Sequence, residues 1–188
     1  MMALTGRKGP RRDDVVRVQR RPVGNGGKCR WMGIITFAGR QWFCAIGKNG
    51  FSARKREGDG CTPIGRYPFL FGYFRADRGS RVPSRMMMKA IEADDGWCDA
   101  PGDPNYNRPV ELPYTVSHEL MMRDDGLYDQ VLVLDQNFSA RMRGRGSAIF
   151  FHRAKTGFPG TLGCVAVAEP VMRLVLQRIR RGSEIELG

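Results

Sequence analysis

Two side chains in "FFHRAKTGFPGTLGCVAVAE", Phe150 to Glu169, have the chemistry for acyl transfer. His152 is one of the chain's two histidines, and eleven residues separate it from Cys164. A thiol with a pKa near ~8.5 is only a few per cent thiolate at neutral pH, so a nucleophilic cysteine needs a base or a cationic neighbour. An imidazole titrating near ~6.5 suits that task. Both residue types also have plain structural uses, as a small buried hydrophobe and a satisfied core histidine. Spacing alone leaves the two readings open.

Positioning decides between them. "GRGSAIFFH" reads as a strand bounded by Gly146 and closing on His152, which would fix the imidazole. The following loop carries Gly157, Pro159, Gly160 and Gly163, a composition suited to turning back so that Cys164 lands beside the ring. Gly163 would let the backbone approach a carbonyl substrate, and the N–H groups of Gly163 and Cys164 could face an oxyanion. "VAVAEP" then leads into a helix with Pro170 at its first position, apolar Met172, Val175, Leu176 and Ile179, arginines in the last turn and Gly182 as the stop.

The remaining elements are mostly strands. Val15–Val18 starts a short first strand, and Trp31–Phe37 with Gln41–Ile46 reads as a hairpin turning at "AGR". Tyr67–Phe74, the near-continuously apolar Gln130–Asp135 and the alternating "SEIELG" follow, with Gln130–Asp135 expected at the centre. Asp94–Pro113 holds four prolines and reads as a long ordered loop, the kind that carries function. Residues 1–14 read as a flexible basic arm and 15–188 as one domain of α+β class, mainly β.

Composition narrows the class less than it suggests. An apolar share of 41% supports a core, and no apolar run reaches the ~18–20 residues of a membrane span. The net charge of +12 suits any polyanion, nucleic acid and bacterial cell wall alike. No RNA-binding aromatic signature or zinc-finger spacing is present. The basic N-terminus lacks the apolar stretch of a secretory signal. Five cysteines, Cys29, Cys44, Cys61, Cys98 and Cys164, leave one over after any pairing. Cys29 and Cys44, near the hairpin, read as packing residues, Cys61 and Cys98 lie in loops where a disulfide is open, and His118 reads as structural or surface. "RMMMKA" at Arg85–Ala90 reads as core or loop filler.

From His152 through "GTLGCVAV" the chain resembles the active-site signature of the L,D-transpeptidase family, the YkuD-like catalytic domain, with Thr161, Leu162, Gly163, Cys164 and Val165 on the Ser/Thr-x-Gly-Cys pattern. "GDGCTPIGRYPF" with Thr62, Pro63 and Gly65, "DPNYNRPV", "YDQVLVLDQN" and "GRGSAIFFH" resemble further family segments in the same order. It departs at Leu162 and Ala166, where many relatives carry polar residues, and in a shorter His-to-Cys spacer. The resemblance implies a β-sandwich of mixed sheets with the C-terminal helix packed against it. It implies Cys164 as nucleophile, His152 as base and Gly163 beside the oxyanion. Tyr106, Asn107 and Arg108 are candidate substrate contacts or ties that hold their loop, Arg145 and Ser147 candidates to line the site or to support His152, and Thr161 a candidate substrate contact.

The implied reaction is transfer of a tetrapeptide stem, through a thioester with release of D-alanine, to an amine of a neighbouring peptidoglycan stem, giving 3-3 or 1-3 cross-links. It needs no metal or organic cofactor. The implied partners are donor and acceptor stem peptides, with carbapenems as covalent inhibitors, in a monomeric periplasmic protein without nucleic acid. Two other classes stay open: an inactive peptidoglycan- or polyanion-binding domain of the same fold, and a basic nucleic-acid-binding protein.

Overall fold

The computed structural model describes residues 15–23 and 30–188; the basic arm at 1–14, the glycine loop at 24–28 and Cys29 lie outside them. The strands are β1 (Val16–Val23), β2 (Arg30–Phe37), β3 (Arg40–Ala45), β4 (Phe51–Ser52), β5 (Thr62–Pro63), β6 (Gly65–Phe74) and β7 (Met88–Ala90). There follow β8 (Asp95–Cys98), β9 (Arg108–Glu111), β10 (His118–Leu120), β11 (Gln130–Leu134), β12 (Phe150–Arg153) and β13 (Val165–Val167). The single helix of the described residues, α1 (Glu169–Arg178), precedes the last strand, β14 (Glu184–Leu187).

One large sheet runs β11-β12-β13-β3-β2-β1-β14-β6-β7 and closes on itself, because β6 also pairs with β11. The ten residues of β6 make this possible: Gly65–Pro68 pair with β14, while Phe69–Phe74 pair with β11. Mixed pairing and the C-terminal helix agree with the mainly β fold expected. β11 sits between β12 and β6 and is buried throughout. Its side chains alternate: Leu132 and Leu134 enter the main core, whereas Val131 and Val133 pack with Phe150, Trp97 and Cys164 on the other face. A strand buried on both sides has no polar face, which is why Val131–Leu134 reads as an unbroken apolar run.

The hairpin is as expected, with β2 and β3 joined by Ala38 and Gly39, both at positive φ (50° and 71°) as a tight primed turn requires. The helix buries Val171, Met172, Val175 and Leu176 on one stripe. Each such side chain is worth about 1.5–3 kcal/mol of burial. Its end differs from expectation: the last helical residue is Arg178, and Ile179 is already extended. Ile179 enters the core at 1% exposure, so packing draws the chain out of the helix before Gly182, whose φ of 89° instead turns it into β14.

Two further expectations are corrected. Asp94–Pro113 is not all loop: β8 and β9 lie within it, and β8 also pairs with β10 to give a three-stranded sheet. The prolines hide this because Pro109 sits on β9, which pairs on one side only. The four described cysteines, Cys44, Cys61, Cys98 and Cys164, are free, so no Cys61–Cys98 disulfide forms. Within "RMMMKA", Met86 is buried, Met87 is exposed and Met88 opens β7.

Candidate active site

β12 and β13 are parallel neighbours, with Phe151 opposite Val165 and His152 opposite Ala166. Cys164 immediately precedes β13 and lies two residues before Ala166, so it shares the face occupied by His152, about 6.6 Å back along the strand. Both side chains line one cavity of about 330 Å³, together with Glu119, Arg123, Tyr128, Lys155, Thr161 and Leu162. The residues are 4% and 8% exposed.

Each reactive atom has a defined partner. His152 Nδ1 lies 2.7 Å from the carbonyl oxygen of Arg153. A carbonyl can only accept, so the neutral ring carries its proton on Nδ1 and offers a lone pair at Nε2. The Cys164 thiol donates to the carbonyl of Ala148 at 3.1 Å and accepts from the Phe150 N–H at 3.3 Å. No hydrogen bond joins the two side chains to each other among these contacts. Burial lowers the His152 pKa to about 4. Burial, followed by the nearby Glu119 charge, pushes the Cys164 thiol up to about 12. The resting pair is therefore thiol and neutral imidazole.

The Cys164 turn is held from three sides. The Thr161 hydroxyl donates to the Cys164 carbonyl at 2.6 Å and accepts from the Gly163 N–H at 3.1 Å. Thr161 is also tied to β3's extension, by its N–H to the Ile46 carbonyl and its carbonyl to the Lys48 N–H. Thr62, fully buried, donates to the Gly163 carbonyl at 3.0 Å and accepts from Gly47 N–H at 2.8 Å. Gly163 has φ +144°, and a Cβ there would stand 2.9 Å from both the Cys61 carbonyl oxygen and Ile149 Cδ1. Its N–H is engaged by Thr161, whereas the Cys164 N–H has no acceptor among the described residues.

Of the other sequence candidates, only Thr161 reaches the cavity. Tyr106 and Ser147 both donate their hydroxyls to Glu57, the latter at 2.8 Å, and Tyr106 is buried at 1% exposure. Asn107, at φ 58°, accepts from Trp97 Nε1 and from the Ala148 N–H, both at 3.0 Å. Arg108 lies 4.0 Å over the Phe138 ring and donates to the Asn107 carbonyl. Arg145 is exposed, and its carbonyl accepts from Gln136. These residues shape the backbone behind Cys164: Asn107 fixes Ala148, whose carbonyl receives the thiol.

The cavity wall contains residues that the sequence did not single out. The Tyr128 ring meets His152 edge-on at 5.3 Å, and its hydroxyl donates to the Glu119 carboxylate. Arg123 lies 5.1 Å over that ring and forms a two-pronged bond to Asp125, at 3.1 and 2.7 Å. Lys155 also faces Asp125, at 3.4 Å. Tyr128 opens the family-like segment "YDQVLVLDQN", whereas Glu119 and Arg123 were marked only by the crowding of charge in "SHELMMRDDGLYD", which has no fixed spacing to Cys164. His118 stands outside the cavity, with Nδ1 on the Val116 carbonyl.

A strand-borne histidine and a cysteine on a glycine turn thus share one cavity in a mainly β fold. The model of the YkuD family, described as the L,D-transpeptidase catalytic domain, matches residues 20–187. The chain belongs to that family. A search of curated proteins and a search of solved structures each returned no match to the chain. Among the described residues, no helix is long and apolar enough to cross a membrane, and no group of three or more His, Cys, Asp or Glu is placed to hold a metal ion.

Proposed function

We propose that the chain is a peptidoglycan L,D-transpeptidase in which Cys164 is the nucleophile and His152 the base. The observation that carries this reading is the shared cavity: parallel neighbouring strands present the imidazole and the thiol on one face. Because the thiol and imidazole rest neutral, attack is coupled to proton transfer. Sγ adds to the carbonyl after the third residue of a tetrapeptide stem as its proton passes to Nε2, so neither charge stands alone in a buried site. The oxyanion meets the unengaged Cys164 N–H; a donor of this kind is worth roughly 3 kcal/mol. D-alanine leaves with the proton from His152, and an amine of a neighbouring stem then resolves the thioester into a 3-3 or 1-3 cross-link. The periplasm is the compartment where such a substrate lies, and the basic surface favours its anionic polymer.

The test uses meso-diaminopimelate tetrapeptide muropeptides and intact-protein mass spectrometry. The wild-type chain should gain the mass of the tripeptide acyl group and, separately, of a carbapenem. Cys164→Ala should gain neither, while still binding sacculi. Binding without any adduct in wild type, with the thiol reduced, would favour an inactive wall-binding domain.

A further inference from the structure

Glu119 stands out among the charged residues lining the cavity. The two cations there, Arg123 and Lys155, both pair with Asp125. Glu119 forms no salt bridge among the described residues, and the Arg123 charge acts on it only at longer range. Its Oε2 accepts from the Tyr128 hydroxyl, and its Oε1 makes no hydrogen bond among the described residues. The side chain is carried on β10 and lines the same cavity as His152 and Cys164, and its register partner Trp97 anchors the same small sheet in the core.

Such a carboxylate works against the first half of the reaction. Its negative charge raises the thiol's pKa beyond what burial does, and burial raises its own. A local conflict of this kind, in a site otherwise well satisfied, points to a function served in another step. The second half of a transpeptidation brings in a positively charged partner, because a primary amine is an ammonium at neutral pH.

We propose that Glu119 is the receptor for the ammonium group of the acceptor peptide, and so selects aminolysis over hydrolysis of the thioester. The inference rests on the transpeptidase reading above. Oε1 takes the ammonium by a charge-assisted hydrogen bond, with Tyr128 fixing the other oxygen. One ammonium proton passes to His152 Nε2, leaving an amine lone pair directed at the thioester carbon. The N–C bond forms and the C–S bond breaks. The departing thiolate takes the second nitrogen-bound proton to regenerate the thiol, and His152 returns its proton to solvent. Water has no charge for Glu119 to hold, so the residue favours the amine alone.

The experiment measures two quantities on the full chain with the same tetrapeptide muropeptide: the rate of thioester formation, and the ratio of cross-linked dimer to hydrolysed tripeptide. Glu119→Gln keeps an acceptor for the Tyr128 hydroxyl. It should raise the thioester rate and lower the dimer-to-tripeptide ratio about tenfold or more, the loss expected for a hydrogen bond to a charged group. Glu119→Asp, which keeps the charge, should restore part of the ratio. Partitioning to hydroxylamine, a nucleophile uncharged at neutral pH, should not change. An unchanged ratio, or a thioester rate that falls with it, overturns the proposal; the latter would place Glu119 at the donor or in folding. Absence of any thioester in wild type would instead defeat the transpeptidase reading beneath it.

Discussion

A buried imidazole next to a buried thiol raises an acid–base question with a definite sign. His152 has its folded pKa depressed to about 4 by burial, against about 6.5 when exposed. The unfolded chain therefore binds a proton that the folded chain refuses as pH falls through 6.5 and on to 4. Stability contributed by this residue is complete above about 6.5 and lost progressively below it, on the order of 3 kcal/mol by pH 4. The base form survives over the same range. The acidic limb of the second-order rate of Cys164 acylation should accordingly lie well below 6.5, near 4, for as long as the protein stays folded. Stopped-flow acylation by a carbapenem across pH 4–8 measures it, and a limb at the ordinary histidine value would mean that the ring is solvated.

At the scale of elements, the reactive turn is built by backbone groups meeting at Thr62. This side chain on the two-residue β5 joins Gly47 and Gly163, segments more than a hundred residues apart in sequence. Thr62→Val preserves shape but orphans a buried N–H and a buried carbonyl, at about 1–3 kcal/mol each. Chemical denaturation should show that loss, and the rate of thioester formation should fall as the Cys164 turn loosens. The lead-in to β12 has a matching device. Ala148 is held at φ 50°, a left-handed conformation that costs a non-glycine residue about 1–3 kcal/mol, and Asn107 pins its N–H. The result is a carbonyl that accepts from Sγ at 3.1 Å.

For the whole molecule, the charge of +12 is a property of the surface and acts at long range. Binding to isolated sacculi should weaken as salt rises from about 0.01 M to about 1 M, where the screening length shrinks from roughly 30 Å to roughly 3 Å. Chemistry inside the cavity, shielded from solvent, should respond far less. Sedimentation with sacculi and the carbapenem acylation rate, measured over the same salt series, separate the two. Equal salt sensitivity in both would put the long-range field into the chemical step.

The sequence by itself determined what local chemistry dictates. Apolar and β-branched runs, glycine turns and Pro170 marked seven of the fourteen strands and the helix, and the family-like run from His152 through Gly163-Cys164 marked the candidate pair. Tertiary structure decided what depends on contacts between distant segments. β8 and β9 exist because β10 and the aromatic cluster around Trp97 complete their pairing and packing, which overrides a proline-rich composition. Tyr106, Asn107 and Ser147 have the residue types of substrate contacts, yet their polar groups are satisfied within the protein. Glu119 gave no periodic or motif signal, because its place in the cavity with His152 comes from β10 folding against the Tyr128 segment. Spacing along a chain reports faces and turns; which side chains meet across a cavity is fixed only when the sheet closes.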